Sequence, residues 1–224
     1  MEKWSRLRNS NLFQAWLVLL LSLVFGMSLA SVEIALKPRI QANKIKETME
    51  KIPGVVLGSH RAQAMQTAGE TLDIEPMTVE AGGTFYRVYR AAFDDNTPAG
   101  FVVKASAQGY ADKIELLVGF DAHVSRITGV FVLDQKETPG LGNKIVEEQW
   151  LDQFEGRSLS SPLVVVKTKA EKDHEIDAVS GATISSRCVT GIVNQTVEDL
   201  RNKLMVKKQQ ESNAANEKGG NGHG

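Results

Sequence analysis

Between Asn9 and Val32 the chain carries no charged residue, and Leu12 to Ala30 reads LFQAWLVLLLSLVFGMSLA with no polar face. At about 1.5 Å per residue such a run reaches roughly 30 Å, the depth of a bilayer's hydrocarbon core. The pattern predicts a transmembrane helix in contact with lipid. A cleaved signal peptide is the rival reading, since Lys3, Arg6 and Arg8 form a basic leader and Ser28-Leu29-Ala30 resembles a small-x-small cleavage site. The run exceeds the roughly 7–15 apolar residues of a signal peptide, which favours a retained anchor. Lys37, Arg39, Lys44 and Lys46 follow the segment, so a count of cations does not orient it. The basic leader directly before it and Glu33 directly after it favour an N-terminus inside.

Downstream, Ile40, Ile45, Met49 and Ile52 recur at near-helical spacing and predict an amphipathic helix closed by a Pro53-Gly54 turn. Beyond a polar stretch, Thr84–Phe93 and Gly100–Ala107 are β-rich and separated by a turn-forming DDNTPA. Lys113–Phe120 and Arg126–Leu133 follow as two further strands. Short consecutive strands joined by turns predict an antiparallel sheet. Ile145, Val146, Trp150, Leu151 and Phe154 predict a helix packed on that sheet, and Leu163–Val166 a buried strand. Val189, Val193, Val197, Leu200 and Leu204 predict a long final helix. The class is α+β, a transmembrane helix followed by an antiparallel sheet packed with helices. Residues 1–36 are the N-terminus and anchor, 37–205 the extracytoplasmic domain, and 206–224 a disordered tail, because VKKQQESNAANEKGGNGHG has no apolar period.

Charge and composition then narrow the chemistry. Twenty-six Lys and Arg stand against 27 Asp and Glu, a formal charge of −1, so the whole-chain balance offers nothing to a nucleic-acid backbone. Cys188 is the single cysteine, and His60, His123, His174 and His223 lie far apart, a distribution that disfavours a metal enzyme. No acid/base dyad is evident, and no catalytic residue is assigned.

Two segments carry candidate chemistry. Asp177 to Ser186 reads DAVSGATISS, between the last strand and the last helix. Its plain reading is Ser180 or Thr183 as an N-cap with Gly181 relaxing the turn. A Thr183 hydroxyl in the first helical turn, beside Gly181 and Ala182, would also be sterically open, and the unpaired N–H groups there favour an anionic phosphate. Ser185 and Ser186 could donate further hydrogen bonds to it. The second segment, Glu137-Thr138-Pro139-Gly140-Leu141-Gly142, reads as a strand-to-helix connection with Asn143 as N-cap. Alternatively it is a ligand loop in which Pro139-Gly140 makes a tight turn, Gly142 lets a ligand approach, and Leu141 supports a flat ring.

In this order after GYADKIELLVGF, the ETPGLG and DAVSGAT motifs resemble the FMN-binding domain of the G subunit of the Rnf electron transport complex. The C subunit of the sodium-translocating NADH:quinone reductase shares both. The resemblance implies FMN joined by a phosphodiester to Thr183. It also implies a flavin transferase that makes the bond from FAD and recognises Asp177, Ser180, Gly181 and Ala182. Glu137, Thr138, Leu141 and Tyr110 would line the flavin ring, and Gln135 stands where family members often carry His. The implied role is an electron relay on the periplasmic side of a bacterial inner membrane, within an ion-translocating ferredoxin:NAD+ oxidoreductase, with other membrane and iron–sulfur subunits as partners. The alternatives are the C subunit of the quinone reductase and a flavin-binding sensory or adaptor protein.

Overall fold

The computed structural model describes residues 11–220, so the leader Lys3, Arg6 and Arg8 lies outside it, as do the last four residues. Two compact units divide between Glu47 and Thr48. The first is most of one helix, α1 (Asn11–Leu57), whose apolar window has a mean hydropathy of 2.2 and no buried share. It is long and apolar enough to cross a membrane. Ile40 and Ile45, two apolar positions of the expected amphipathic helix, are exposed.

The second unit begins with the last turns of α1, and the expected stop at Pro53-Gly54 is corrected: the helix continues through both to Leu57. A proline inside a helix forfeits a backbone bond and crowds the carbonyl four residues earlier, at a cost of about 3 kcal/mol. Ile52, Val55 and Val56 are buried here, each contributing roughly 1.5–3 kcal/mol, which offsets that cost. A ten-residue helix, α2 (Ser59–Ala68), follows in the polar stretch and ends at Gly69 in a left-handed conformation.

Five strands, β1 (Leu72–Ala81), β2 (Thr84–Phe93), β3 (Pro98–Gln108), β4 (Lys113–Asp121) and β5 (Ile127–Asp134), form one antiparallel meander in chain order. Sequence patterning missed β1. It is an edge strand with Pro76 and several acidic residues, features that blunt the alternation of a half-buried strand. Successive cross-strand rows alternate faces. Val88, Val103, Val118 and Val130 pair across β2 to β5 and join the main core, while the neighbouring row of Tyr89, Val102, Gly119 and Gly129 faces the end of α1. The two glycines are a seat: a Cβ at Gly119 would lie 2.2 Å from the Val55 carbonyl oxygen, and one at Gly129 2.9 Å from it. Thr128 Oγ1 donates to that same oxygen at 2.8 Å.

On the main-core face lies α4 (Thr183–Gly220), with Val189, Val193, Leu200 and Leu204 buried and Val197 packed against them, as the stripe predicted. The helix runs on to Gly220, through Lys, Gln, Glu and Ala residues that favour helix. The single helix expected over Ile145–Phe154 is also corrected. A 3-10 turn (Gly142–Val146), the short helix α3 (Glu148–Leu151) and a second 3-10 turn (Asp152–Phe154) replace it, broken at the extended Glu147. Ile145, Trp150, Leu151 and Phe154 are buried regardless, and Val146 is exposed. Beyond them, β6 (Val164–Val166) pairs in parallel with β7 (Glu175–Asp177), and Val164 points to solvent although Leu163 before it is buried. The class is α+β, as expected.

Candidate functional site

The start of α4 is set by a turn. Ala182 N–H donates to Val179 O at 2.9 Å, with Gly181 at φ +77°, the left-handed third position that a type II turn requires. Ser186 N–H then closes the first helical bond on Ala182 O at 3.0 Å, which makes Ala182 the capping position and leaves the N–H groups of Thr183, Ile184 and Ser185 ahead of the first intrahelical acceptor. Neither Ser180 nor Thr183 is the N-cap.

The loop after β5 folds over this turn. Gly140 takes φ +76°, and Leu141 stands half-exposed with Cδ2 3.0 Å from where a Gly181 Cβ would be. The two motifs, some forty residues apart, thus enclose one cavity of about 510 Å³. Small-molecule sites commonly hold about 300–1,000 Å³. Thr138, Leu141 and Gly142 come from the loop, Gly181, Ala182 and Thr183 from the turn and helix, and Tyr110 from the connection between β3 and β4. Glu137 and Ser185 also border it, both buried. Ile184, which the sequence pattern did not single out, completes the wall as an exposed apolar side chain in a first helical turn, and that exposure was its only signal. Two other concavities, of about 400 and 840 Å³, contain neither motif.

Hydroxyl groups in the first turn of α4 are sorted by their partners. Ser185 Oγ donates to Glu137 Oε2 at 2.5 Å; Ser186 Oγ donates to Ala182 O and accepts from Val179 N–H, both at 3.0 Å. Both serine hydroxyls, expected to serve a phosphate, are buried and bonded within the protein in this structure. Thr183 is half-buried on the cavity wall, and its hydroxyl has no hydrogen-bond partner among the described residues.

Three other expected positions lie differently. Gly142 is buried, and a Cβ there would meet Glu137 Cβ at 2.8 Å and Ser185 Oγ at 3.1 Å, so its bareness makes room for protein and not for a ligand. Asp177 and Ser180 do not line the cavity; Asp177 accepts from Ala170 N–H through Oδ1 at 2.5 Å and from Trp150 Nε1 through its carbonyl at 2.7 Å. Asn143, expected as an N-cap, lies inside the 3-10 turn. Gln135 Oε1 accepts from Glu137 N–H at 2.6 Å. Behind Glu137, burial pushes the Cys188 thiol above its usual range, and the neighbouring Glu137 charge adds to this.

The arrangement suits FMN on its own chemistry. Tyr110, Leu141 and Ile184 offer apolar surface to a flat ring, and the helix N–H groups offer donors to a phosphate, with no Lys or Arg among the lining residues. The fold and this cavity define an FMN-binding domain, and the family model of that description matches residues 109–198. The chain is 42% identical over 105 residues to the G subunit of the Na(+)-translocating ferredoxin:NAD(+) oxidoreductase complex of Acetobacterium woodii, a match that spans 46% of this chain and half of that relative. Over 191 residues it is 30% identical to the G subunit of the ion-translocating oxidoreductase complex of Cereibacter sphaeroides, with 84% of this chain and 83% of that one covered. The chain belongs to the family formed by the G subunits of ion-translocating oxidoreductase complexes. The crystal structure of the C subunit of the Na(+)-translocating NADH-quinone reductase from Parabacteroides distasonis has a TM-score of 0.54 at 19% identity, covering 75% of this chain and 94% of that one, and so shares the fold.

Proposed function

We propose that the chain is an electron relay of a membrane-bound, ion-translocating ferredoxin:NAD+ oxidoreductase, with FMN held covalently on Thr183 on the extracytoplasmic side of the membrane. The observation that carries this reading is the meeting of the two motifs around one cavity in which, of the hydroxyls in the first helical turn, Thr183 alone is uncommitted. Attachment breaks the pyrophosphate of FAD. Thr183 Oγ1 joins the FMN phosphorus, AMP leaves, and the hydroxyl proton is lost. A flavin transferase performs the step and reads the segment Asp177 to Ala182, and the other membrane and iron–sulfur subunits supply and accept the electrons.

FMN accepts and releases electrons singly or in pairs; the protein binds, orients and shields it. Leu141, Tyr110 and Ile184 hold the ring by apolar contact. The N–H groups ahead of Ser186 face the single negative charge of the phosphodiester, aided by the helix dipole. With no lysine or arginine among the lining residues, the ester bond itself does the holding that cations would otherwise share. Relaying electrons requires no proton-transferring dyad, and Glu137 has both carboxylate oxygens engaged.

Thr183→Val, close to isosteric, tests the assignment in a host that supplies the transferase and exports the chain. The variant is expected to fold and to show no flavin fluorescence on a denaturing gel, where the wild-type band is fluorescent. A fluorescent Thr183→Val band contradicts the assignment.

A further inference from the structure

We propose that Glu137 and Ser185 form a positioning pair that locks the first turn of α4 against the 137–142 loop and thereby presents the Thr183 hydroxyl to the cavity. The inference rests on the reading of Thr183 as the attachment point. A carboxylate only 4% exposed is costly unless its oxygens are engaged, and here each one is. Oε2 accepts from Ser185 Oγ at 2.5 Å and Oε1 from Ala111 N–H at 3.1 Å. Both partners donate, the pattern an ionised carboxylate requires.

The surroundings are cut to this one side chain. A Cβ on Gly109 would lie 2.5 Å from Oε1, and one on Gly142 2.9 Å from Oε2, so both neighbours must be bare for the carboxylate to fit. Gln135 Oε1 holds the Glu137 N–H from the strand side. The β3–β4 connection, the loop and the helix start therefore converge on a single buried group, and these are the segments that wall the cavity. Ser185 lies two residues beyond Thr183 in the same turn, so anchoring it fixes where Thr183 points. The same bond removes the Ser185 hydroxyl as a competing acceptor of the flavin phosphate.

Ser185→Ala, Ser185→Thr, Glu137→Gln, Glu137→Met and the Ala/Met double variant are made as full chains. Covalent flavin is followed by intact mass in a time course, and thermal unfolding is read on unloaded chain from a host without the transferase. Unloaded Ser185→Ala is expected to unfold cooperatively yet to load about tenfold more slowly, the factor that corresponds to about 1.4 kcal/mol. Ser185→Thr restores loading. Glu137→Gln can keep the pair by donating Nε2–H to Ser185 Oγ while Oε1 accepts from Ala111 N–H, so it is expected to load faster than Ser185→Ala. Glu137→Met, of similar volume with no group to bond Ser185, loads at least as slowly as Ser185→Ala, and Glu137→Met combined with Ser185→Ala loads no more slowly than Glu137→Met alone, because the two act as a unit. If either single variant does not fold, the other and Ser185→Thr give the same comparison. Loading of a folded Glu137→Met or Ser185→Ala chain at the wild-type rate, or a Ser185→Thr chain that folds and loads no faster than Ser185→Ala, overturns the proposal. A wild-type chain that never loads contradicts the Thr183 assignment instead.

Discussion

Among single residues the site divides into groups that would meet the flavin and groups that hold the wall. Leu141 belongs to the first: it is half-exposed and lines the cavity without engaging the helix turn by hydrogen bonds. Leu141→Ala is expected to leave covalent flavin at wild-type occupancy while shifting its absorbance spectrum and midpoint potential; loss of attachment with Thr183 intact would reverse the roles assigned to the two motifs. The place of Thr183 at the start of α4 was legible because a hydroxyl after Gly-Ala before an apolar stripe is a local pattern. The brace role proposed for Glu137 was not, since its contacts depend on Ala111, Gly109, Gly142 and Ser185 being brought together by tertiary folding. For the same reason the motif alone could not show that Ser185 and Ser186 are spent inside the protein. A residue remote from the cavity gives a pH test. Burial works against the charge of Asp121, but the N–H groups of Arg126 and Ser125 and the Ser125 hydroxyl outweigh it and hold the carboxyl below its ordinary range. A depressed folded-state value stabilises above the ordinary aspartate range, near pH 4, and that contribution is lost as pH falls below it. Asp121→Asn is expected to lower stability at pH 7 by roughly 1–2 kcal/mol, discounted for its partial exposure, and to flatten the acid limb of a stability–pH curve measured by urea unfolding.

Elements with strong periodicity were readable, and those defined by partners were not. The span of β2 agrees residue for residue with its pattern, because TFYRVYRAAF lies between turns and is paired on both sides. By contrast β1 has an open edge, β7 is three residues long, and α2 has no apolar stripe, so none had a pattern to read. Continuation of α1 past Pro53 was hidden because its reason lies in the sheet. The Val55 carbonyl rests on the Gly119–Gly129 pair, and Thr128 caps it. Gly119→Ala would push a methyl group to 2.2 Å from that oxygen, an overlap that backbone cannot relieve without lifting the helix end. The expected loss is about 2–3 kcal/mol in urea unfolding, with Gly54→Ala, whose Cβ would meet nothing within 4 Å, as the neutral control. Equal stability of the two variants would show that the seat bears no load.

Over the full length of the chain, the apolar run of α1 and the membership of a family of membrane-complex subunits support a single-pass anchor. Carbonate extraction of membranes from the native host is expected to leave the chain in the pellet with its N-terminus intact; a mature chain beginning at Ser31 would mark α1 as a cleaved signal. The apolar helix and both motifs were legible because each is continuous in the chain, whereas the cavity exists only once the β5–α3 loop has closed over the start of α4. That closure puts Thr183 on the cavity wall, and the proposed attachment of FMN there is the claim on which the electron-relay reading depends. The decisive experiment is the intact mass of the full chain purified from its native host, followed by mapping of the modified peptide. A gain of one FMN less one water, carried on Thr183, is expected; an unmodified mass, or an FMN adduct placed on another residue, would contradict the assignment.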